Sequence, residues 1–334
     1  MKQLIHKATD IYTTQFFKNK TVLITGASGL VGCNLLLYFR GLIKDSQSPK
    51  QVFALSKTGI YSGNDNSPSL VKYINGNLLD SDFLRQLPEA DIIIHCAGYA
   101  QPSLFLANPL ECISLNTNVL IQLLPKLKTN GVLVNLSSSE IYSGNTNFPQ
   151  SEGEIGSTSP NHPRAAYIES KRCGEAIVNA FRQVNQNRAM NLRLSLAYGP
   201  GTKSGDKRVL SQFIEKSLTE KKIVLRDQGS AIRTYLYIDD AIEQIVGAIL
   251  WGDEPVYNIA GIEQISILKL ARTVAMLTDS IVEVPDEIES NLQAAPDVVW
   301  CDANKVNTLI GKNDFISIEI GVENTINWAK REIL

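Results

Sequence analysis

Tyr167-Ile168-Glu169-Ser170-Lys171 sets a phenol and an ammonium four residues apart, which puts both on one face of a helix. A free phenol, with a pKa of ~10, is a poor base at neutral pH. An ammonium beside it favours the phenolate and lowers that value. The pair then becomes a base for a substrate hydroxyl. Alone, a Y-x-x-x-K spacing is a weak signal, because such pairs recur by chance on helix surfaces. Its context strengthens it. Ser137-Ser138-Ser139-Glu140-Ile141-Tyr142 closes an apolar run and offers hydroxyls that can bond the same oxygen, with the carboxylate of Glu140 beside them. A polar strand end is also ordinary loop chemistry, and Glu140 can equally serve to fix the loop.

These groups need a scaffold, and the chain alternates short apolar runs with helix-length amphipathic stretches. The runs are Thr21–Thr25, Gln51–Ser56, Val71–Ile74, Asp91–His95, Gly131–Ser137 and Leu192–Ala197. Helices are predicted over Leu30–Ile43, about Pro109–Lys128 and Arg164–Asn185, the last carrying Tyr167 and Lys171. Strands apolar on both faces and separated by helices imply a parallel sheet covered on each side. That is a doubly wound, Rossmann-like α/β fold, whose ligands lie at the carboxyl ends of the strands. After Tyr198-Gly199-Pro200 the pattern changes. Helices are predicted over Arg208–Thr219 and Asp239–Leu250, short strands over Ile223–Leu225 and Thr234–Ile238, and a final helix near Val322–Arg331. The Ser- and Asn-rich Thr58–Ser69 and Gly144–Pro160 read as surface loops.

Gly26-Ala27-Ser28-Gly29-Leu30-Val31-Gly32 follows the first strand at once and opens a helix. Glycines let the backbone turn sharply and approach a pyrophosphate, to which a helix N-terminus offers free N–H groups and partial positive charge. The spacing is G-x-x-G-x-x-G rather than the commoner G-x-G-x-x-G, and no Gly-Lys-Ser/Thr follows, which excludes a Walker loop. Gly26, Ser28, Gly29, Leu30, Val31 and Gly32 are therefore candidate dinucleotide-binding residues. An acidic residue ending the second strand would hold the adenosine ribose. Here that strand ends Ala54-Leu55-Ser56-Lys57, a hydroxyl and a cation that suit a 2′-phosphate, so NADP is favoured over NAD. The alternative for Lys57 is a solvated surface lysine. An oxidised nicotinamide would add its positive charge to that of Lys171 in favouring a Tyr167 phenolate. The expected organisation is a helical extension over residues 1–20, a dinucleotide-binding domain over 21–200, and a smaller C-terminal α+β substrate lobe over 201–334 that partly returns to the first domain.

Composition narrows the partners. The 334 residues hold 32 Lys+Arg against 34 Asp+Glu, a formal charge of −2, which offers no basic face for nucleic acid and no solvated acidic tail. With 44% hydrophobic and 20% charged residues, the composition is that of an ordinary globular protein, long enough for roughly two domains or one large one. The leader interleaves Lys2, His6, Lys7, Asp10, Lys18 and Lys20 with apolar residues. It reads as an amphipathic helix with Leu4, Ile5, Ala8, Ile11 and Tyr12 on one side, rather than an export signal or a membrane span. The cysteines (Cys33, Cys96, Cys112, Cys173, Cys301) form no Cys-x-x-Cys pair, and His6, His95 and His162 are isolated. Buried reduced thiols in a cytoplasmic protein, without a metal site, are expected.

Taken in order, these features resemble the extended short-chain dehydrogenase/reductase superfamily, in its nucleotide-sugar epimerase/dehydratase branch. The likeness runs from about Lys20 to Lys330. It rests on Thr25–Gly32, Gly76-Asn77-Leu78, His95–Gly98, Asn116, Ser137–Tyr142, Tyr167 with Lys171, Leu192–Gly201, Gly229–Asp240 and Tyr257-Asn258-Ile259. The resemblance implies that Ser138, Tyr167 and Lys171 form a catalytic triad, Tyr167 and Lys171 also touching the cofactor, with Glu140 as a further catalytic candidate and Ser139 and Glu140 beside the substrate. It implies that Asn77 and Leu78 lie at the adenine, although the family usually has Asp where Asn77 stands, and that Ala97 and Gly98 border the cofactor. Asn116 would order the helix bearing Lys171 and a bound water, and Arg233 would contact the diphosphate of a nucleotide sugar. In many relatives the helices holding Asn116 and Tyr167 form a homodimer interface. Here Leu120, Leu123, Leu124, Leu127, Ile177, Val178 and Phe181 would supply it, unless they pack on the sheet.

Members of the branch begin by oxidising a sugar hydroxyl, usually at C4, and the fates of the ketone then diverge. Sugar 4,6-dehydratases resemble Thr/Ser-Asp-Glu at this strand end, whereas this chain has Ser138-Ser139-Glu140, without the acid. Uronate decarboxylases resemble Thr-Ser-Glu followed by Pro-Arg-x-x-Tyr, which Ser139-Glu140 and Pro163–Tyr167 echo. They also use a late basic residue for the carboxylate, and no Arg or Lys stands between Arg272 and Lys305. Asp279, Glu283, Asp286, Glu287, Glu289 and Asp297 occupy that stretch, and the late Arg-Pro-x-Asp signature is reduced to Ala295-Pro296-Asp297. An acidic pocket wall would repel a uronate. The expectation is therefore an epimerase acting through a 4-keto sugar, with a 4-ketoreductase, 4,6-dehydratase or uronate decarboxylase as alternatives. A catalytically silent NADP(H)-binding regulatory protein is the alternative from another class, and the intact triad argues against it.

Overall fold

Strands apolar on both faces need cover on both, and the central sheet has it. The computed structural model describes residues 15–42, 48–59, 70–185, 187–286 and 296–333. Among these, β1 (Thr21–Thr25), β2 (Gln51–Ser56), β3 (Val71–Asn75), β4 (Ala90–His95), β5 (Leu127–Ser138) and β6 (Arg188–Leu194) join the strand Val256–Ile259 in a seven-stranded parallel sheet. Its order is Val256–Ile259, β6, β5, β4, β1, β2, β3. Val22 lies beside Val52 on one side and Ile92 on the other, and Ile92 beside Val132. The alternation sends Val22, Ile24, Ile92, Ile94, Val132 and Val134 into one core, and Leu23, Ile93, Leu133 and Ala189 into a second on the opposite face. The order reverses between β1 and β4, so a cleft opens at their carboxyl ends.

The covering helices are α1 (Leu30–Gly41), α2 (Ser81–Gln86), α3 (Pro102–Ala107), α4 (Pro109–Asn116), α5 (Asn118–Leu123) and α6 (Ala165–Val184). The one helix predicted over Pro109–Lys128 is instead α4, α5 and a 3-10 turn at Leu124–Lys126. Thr117 leaves helical geometry (φ −122°, ψ −77°), and Pro125 lacks the N–H a continuing helix would use. β5 accordingly starts at Leu127, before the predicted Gly131. The run Leu192–Ala197 is also split. β6 ends at Leu194, and Ala197–Tyr198 pairs with Leu236–Tyr237 away from the main sheet.

Beyond Tyr198 the helices Val209–Thr219 and Ile267–Thr278 accompany a small sheet in which Ile232–Thr234 lies between Gln264–Ser266 and Val298–Val299. The chain re-enters the main sheet where Val256–Ile259 pairs with β6, and the helix Ile238–Trp251 packs on α1. Leu120, Leu123 and Val178 are buried in the core beneath β4 and β5, with Leu124, Leu127, Ile177 and Phe181 at its margin. They pack on the sheet of their own chain. All five cysteines are free. Cys173 is exposed where burial was expected, because it shares the outer face of α6 with Ala176 and Ala180. The predicted leader helix lies outside the described residues up to residue 14, and the Thr58–Ser69 loop lies outside them beyond Gly59. No described helix is long and apolar enough to cross a membrane.

Candidate active site

Gly26 turns β1 into α1 at φ +66°, a region costly for other residues, and a Cβ there would come within 2.7 Å of the Ala97 nitrogen. Gly32 faces the same turn from inside α1, where a Cβ would lie 2.7 Å from the Ala27 Cα. No side chain caps α1 at Gly29, so the first-turn N–H groups at Leu30, Val31 and Gly32 point free into the cleft. The Ser56 hydroxyl donates to Ser28 Oγ at 2.8 Å, joining the end of β2 to the turn, and Lys57 beside it is exposed. β3 runs in register with β2, Ser56 opposite Asn75, and delivers Gly76-Asn77-Leu78 to the same edge. Leu78 is buried there, while Asn77 is exposed and its Oδ1 accepts from the Leu79 N–H at 3.2 Å. The residues expected to hold a dinucleotide therefore do line neighbouring carboxyl ends of one sheet.

β4 ends in His95, which is fully buried. Its Nδ1 lies 2.8 Å from Thr25 Oγ1, and its Nε2 lies 3.0 Å from the Leu115 carbonyl. A carbonyl only accepts, which assigns the proton to Nε2 and leaves Nδ1 accepting from Thr25. The Thr25 oxygen accepts in turn from the Ala97 N–H at 3.1 Å. Burial, with the charge of Lys171 nearby, pushes the imidazole pKa down to about 4. A neutral His95 thus pins Ala97-Gly98 against the glycine turn.

At the end of β5, the Ser138 hydroxyl accepts from the Glu140 N–H at 3.2 Å and lies near enough to the Tyr167 phenol to favour its ionised form. Tyr167 and Lys171 are both buried on α6. The Lys171 ammonium donates to the Leu136 carbonyl at 2.7 Å and stands 5.9 Å from the centre of the Tyr167 ring. That ring stacks on Phe105 of α3, 4.6 Å between centroids and 11° from parallel. Burial holds the Tyr167 phenol well above its ordinary value and brings Lys171 down to about 8. The spacing predicted a lowered phenol. In the folded protein desolvation of the phenol outweighs the lowering by Ser138 and Arg164, and the phenolate needs further positive charge. Asn116 donates through Nδ2 to Ser170 Oγ at 2.9 Å, next to Lys171, while its buried Oδ1 has no partner. A Cβ on Gly98 would lie 3.4 Å from that oxygen and 3.7 Å from Lys171 Nζ. Both groups therefore face one cradle in front of Gly98, an acceptor and a donor set for a ligand's hydroxyls.

The substrate side is charged. Glu140, in the 3-10 turn Ser139–Tyr142, is ion-paired with Arg164, and its Oε2 is buried without a partner. Burial raises its pKa above the usual carboxylate range against the opposing pull of Arg164, Arg233 and His162. Arg233 donates to the carbonyls of Ile232 at 2.8 Å and Asp297 at 3.1 Å. Ser139, Glu140, Phe148 and Asp297 line a cavity of about 270 Å³. Of the acids in the late sequence, Asp297 lines that cavity. Glu283 is paired with Lys222 at 2.7 Å, and Glu287 and Glu289 lie outside the described residues. Among the described residues no group of three or more His, Cys, Asp or Glu is placed to hold a metal ion.

Sequence reasoning missed the Phe105 stack, Arg164 as the partner of Glu140, and a buried network beneath the site. Glu175 accepts from the Ser137 hydroxyl at 2.6 Å and from Arg193 Nη2 at 2.8 Å. Arg193 Nη1 donates to the Tyr142 hydroxyl at 2.8 Å, which donates to Asn258 Oδ1 at 2.7 Å. A signal existed, since an arginine inside the apolar run Leu192–Ala197 requires a partner.

Comparison with known proteins agrees with this geometry. The sequence profile of the NAD dependent epimerase/dehydratase family matches residues 22–260. UDP-glucuronic acid decarboxylase 1 of Xenopus tropicalis is 27% identical over 317 residues, 94% of this chain and 73% of that protein. The fold is shared with an epimerase from the methanogen Methanothermobacter thermautotrophicus (TM-score 0.84, 20% identity, 98% of this chain and 97% of that one). It is shared also with the UDP-glucose 4-epimerase of Thermotoga maritima, solved with UDP-glucose (TM-score 0.79, 21% identity, 94% and 100%). With the profile matched over most of its length and the parallel sheet, glycine turn and Tyr/Lys helix in place, the chain is an enzyme of the NAD dependent epimerase/dehydratase family.

Proposed function

We propose that this enzyme is a nucleotide-sugar epimerase working through a 4-keto sugar, with NADP preferred to NAD. The observation that carries the reading is the convergence of Ser138, Tyr167 and Lys171 beside the cradle of Gly98, at the carboxyl end of the sheet that holds the glycine turn. Approach at Gly26 and Gly32, the uncapped start of α1 and the orphaned Asn116 Oδ1 fit a dinucleotide. Residues 21–200 would hold it, with Ser56 and Lys57 toward the adenosine 2′ position and Asn77 and Leu78 at the adenine. Residues 201–334 would hold most of the nucleotide sugar, Arg233 taking its diphosphate. When bound, the nicotinamide supplies a hydride acceptor, a donor for the return step, and a positive charge. Tyr167 takes the proton of the sugar hydroxyl, Ser138 holds the same oxygen, and the Lys171 ammonium favours the phenolate. In the return step Tyr167 gives the proton back. Ser139 stands where a dehydratase would carry its acid, which counts against elimination.

Decarboxylation of a uronate is a second reading. It is favoured by the pairing of Glu140 with Arg164 and by Arg233 nearby. Incubation with UDP-, dTDP-, GDP- and CDP-sugars, followed by NMR and mass spectrometry, separates the outcomes. An epimerase yields an isomer of unchanged mass with no net cofactor turnover. Release of CO₂ from UDP-glucuronate would replace the proposal with the second reading, and stoichiometric loss of NADPH with a keto sugar would replace it with reduction.

A further inference from the structure

The loop following Tyr198 doubles back onto α1 and delivers a cation to the far side of the glycine turn. Asn34 Nδ2 donates to the Pro200 carbonyl at 2.9 Å, and the Cys33 thiol reaches the Gly201 carbonyl at 3.9 Å. From that anchored segment the Lys203 ammonium donates to Ser28 Oγ at 3.2 Å and to Thr58 Oγ1 at 3.5 Å. Ser56 Oγ is bonded to Ser28 Oγ at 2.8 Å and accepts from the Thr58 N–H at 3.4 Å. Three hydroxyls at the end of β2 and the glycine turn are thus gathered under one ammonium that arrives from outside the nucleotide-binding turn. Among the described residues Lys203 is held by hydroxyls alone and none pairs it with a carboxylate.

We infer that Lys203 is a specificity-determining residue that pairs with the 2′-phosphate of NADP, with Ser28, Ser56 and Thr58 as hydroxyl donors around it. The inference rests on the cofactor preference proposed above and adds a residue that the β2 sequence does not contain. The adenosine ribose lies at the end of β2 in a dinucleotide-binding sheet. A carboxylate there would accept from the ribose and repel a phosphate. Hydroxyls donate to phosphate oxygens, and a dianionic group draws an ammonium strongly. Lys57 is exposed beside Ser56 in the chain, whereas Lys203 is already bonded to Ser28 and Thr58.

Calorimetric titration of the wild-type protein with NADP+, NAD+, 2′,5′-ADP and 5′-AMP tests this, repeated on Lys203→Ala, Lys203→Glu and Lys203→Arg. Wild type is expected to favour the 2′-phosphorylated member of each pair. Lys203→Ala should weaken NADP+ and 2′,5′-ADP about tenfold, the loss of one charge-assisted bond, and change NAD+ and 5′-AMP less than about twofold. Lys203→Glu should invert the preference, and Lys203→Arg should keep it. A preference that survives intact in both Lys203→Ala and Lys203→Glu overturns the role of Lys203 while leaving the NADP reading standing. A wild-type protein that binds NAD+ as tightly as NADP+ overturns both.

Discussion

Acidification from pH 7 to pH 5 protonates a solvated imidazole, but the folded protein resists this at His95, whose pKa falls from 6.5 to about 4. Both ring nitrogens are occupied in the neutral form, one accepting from Thr25 and one donating to the Leu115 carbonyl, and a second proton would face the Thr25 hydroxyl in a fully buried site. The stability contributed by the neutral ring is therefore complete above pH 6.5 and is lost as pH falls toward 4, because the unfolded chain takes up the proton first. The whole shift corresponds to about 3 kcal/mol, of which about 2 kcal/mol is gone by pH 5. His95→Gln keeps a donor for Leu115 and does not titrate. It is expected to be less stable than wild type at pH 7 by about 1 kcal/mol, the lost Thr25 bond, but to lose about 2 kcal/mol less between pH 7 and pH 5. Glu140, Asp240 and the other carboxylates titrate in both proteins and cancel in the comparison. Urea unfolding followed by tryptophan fluorescence at the two pH values measures the difference. Parallel losses in the two proteins would refute the buried, doubly bonded imidazole.

Two further outcomes follow from the same geometry. Lys171→Met should raise stability by about 1–2 kcal/mol at pH 7, since burial disfavours the ammonium by more than its bond to Leu136 returns, while turnover falls at least about 100-fold; thermal unfolding and product assays read the two effects. Gly98→Ala adds a methyl at ordinary contact distance from Asn116 Oδ1 and Lys171 Nζ, so the variant should fold with an unchanged melting temperature yet bind NADP+ at least about tenfold more weakly by titration. A Gly98→Ala protein with unaltered NADP+ affinity would remove the cradle from the cofactor site.

Much of this was written locally in the chain. The apolar runs from Thr21–Thr25 to Leu192–Ala197 locate the strands because burial on both faces leaves no alternation to misread, and the glycine turn and the Tyr167–Lys171 spacing depend on neighbours in sequence. What escaped was set by distance. Thr117 breaks a helix that periodicity would continue, Phe105 meets Tyr167 only once α3 and α6 are packed, and Arg164 reaches Glu140 across a loop. Lys203 reaches Thr58 across 145 positions. Spacing reveals the ammonium beside Tyr167 but not the desolvation that burial imposes on both.

Tyr167→Phe isolates the proton transfer on which the proposed chemistry depends. The ring, its stack on Phe105 and the packing of α6 remain, and only the hydroxyl beside Ser138 is removed. Turnover of the nucleotide sugar processed by wild type should fall about 1,000-fold, with the Kd for NADP+ within about twofold of wild type. A Phe variant that turns over at the wild-type rate would contradict the account.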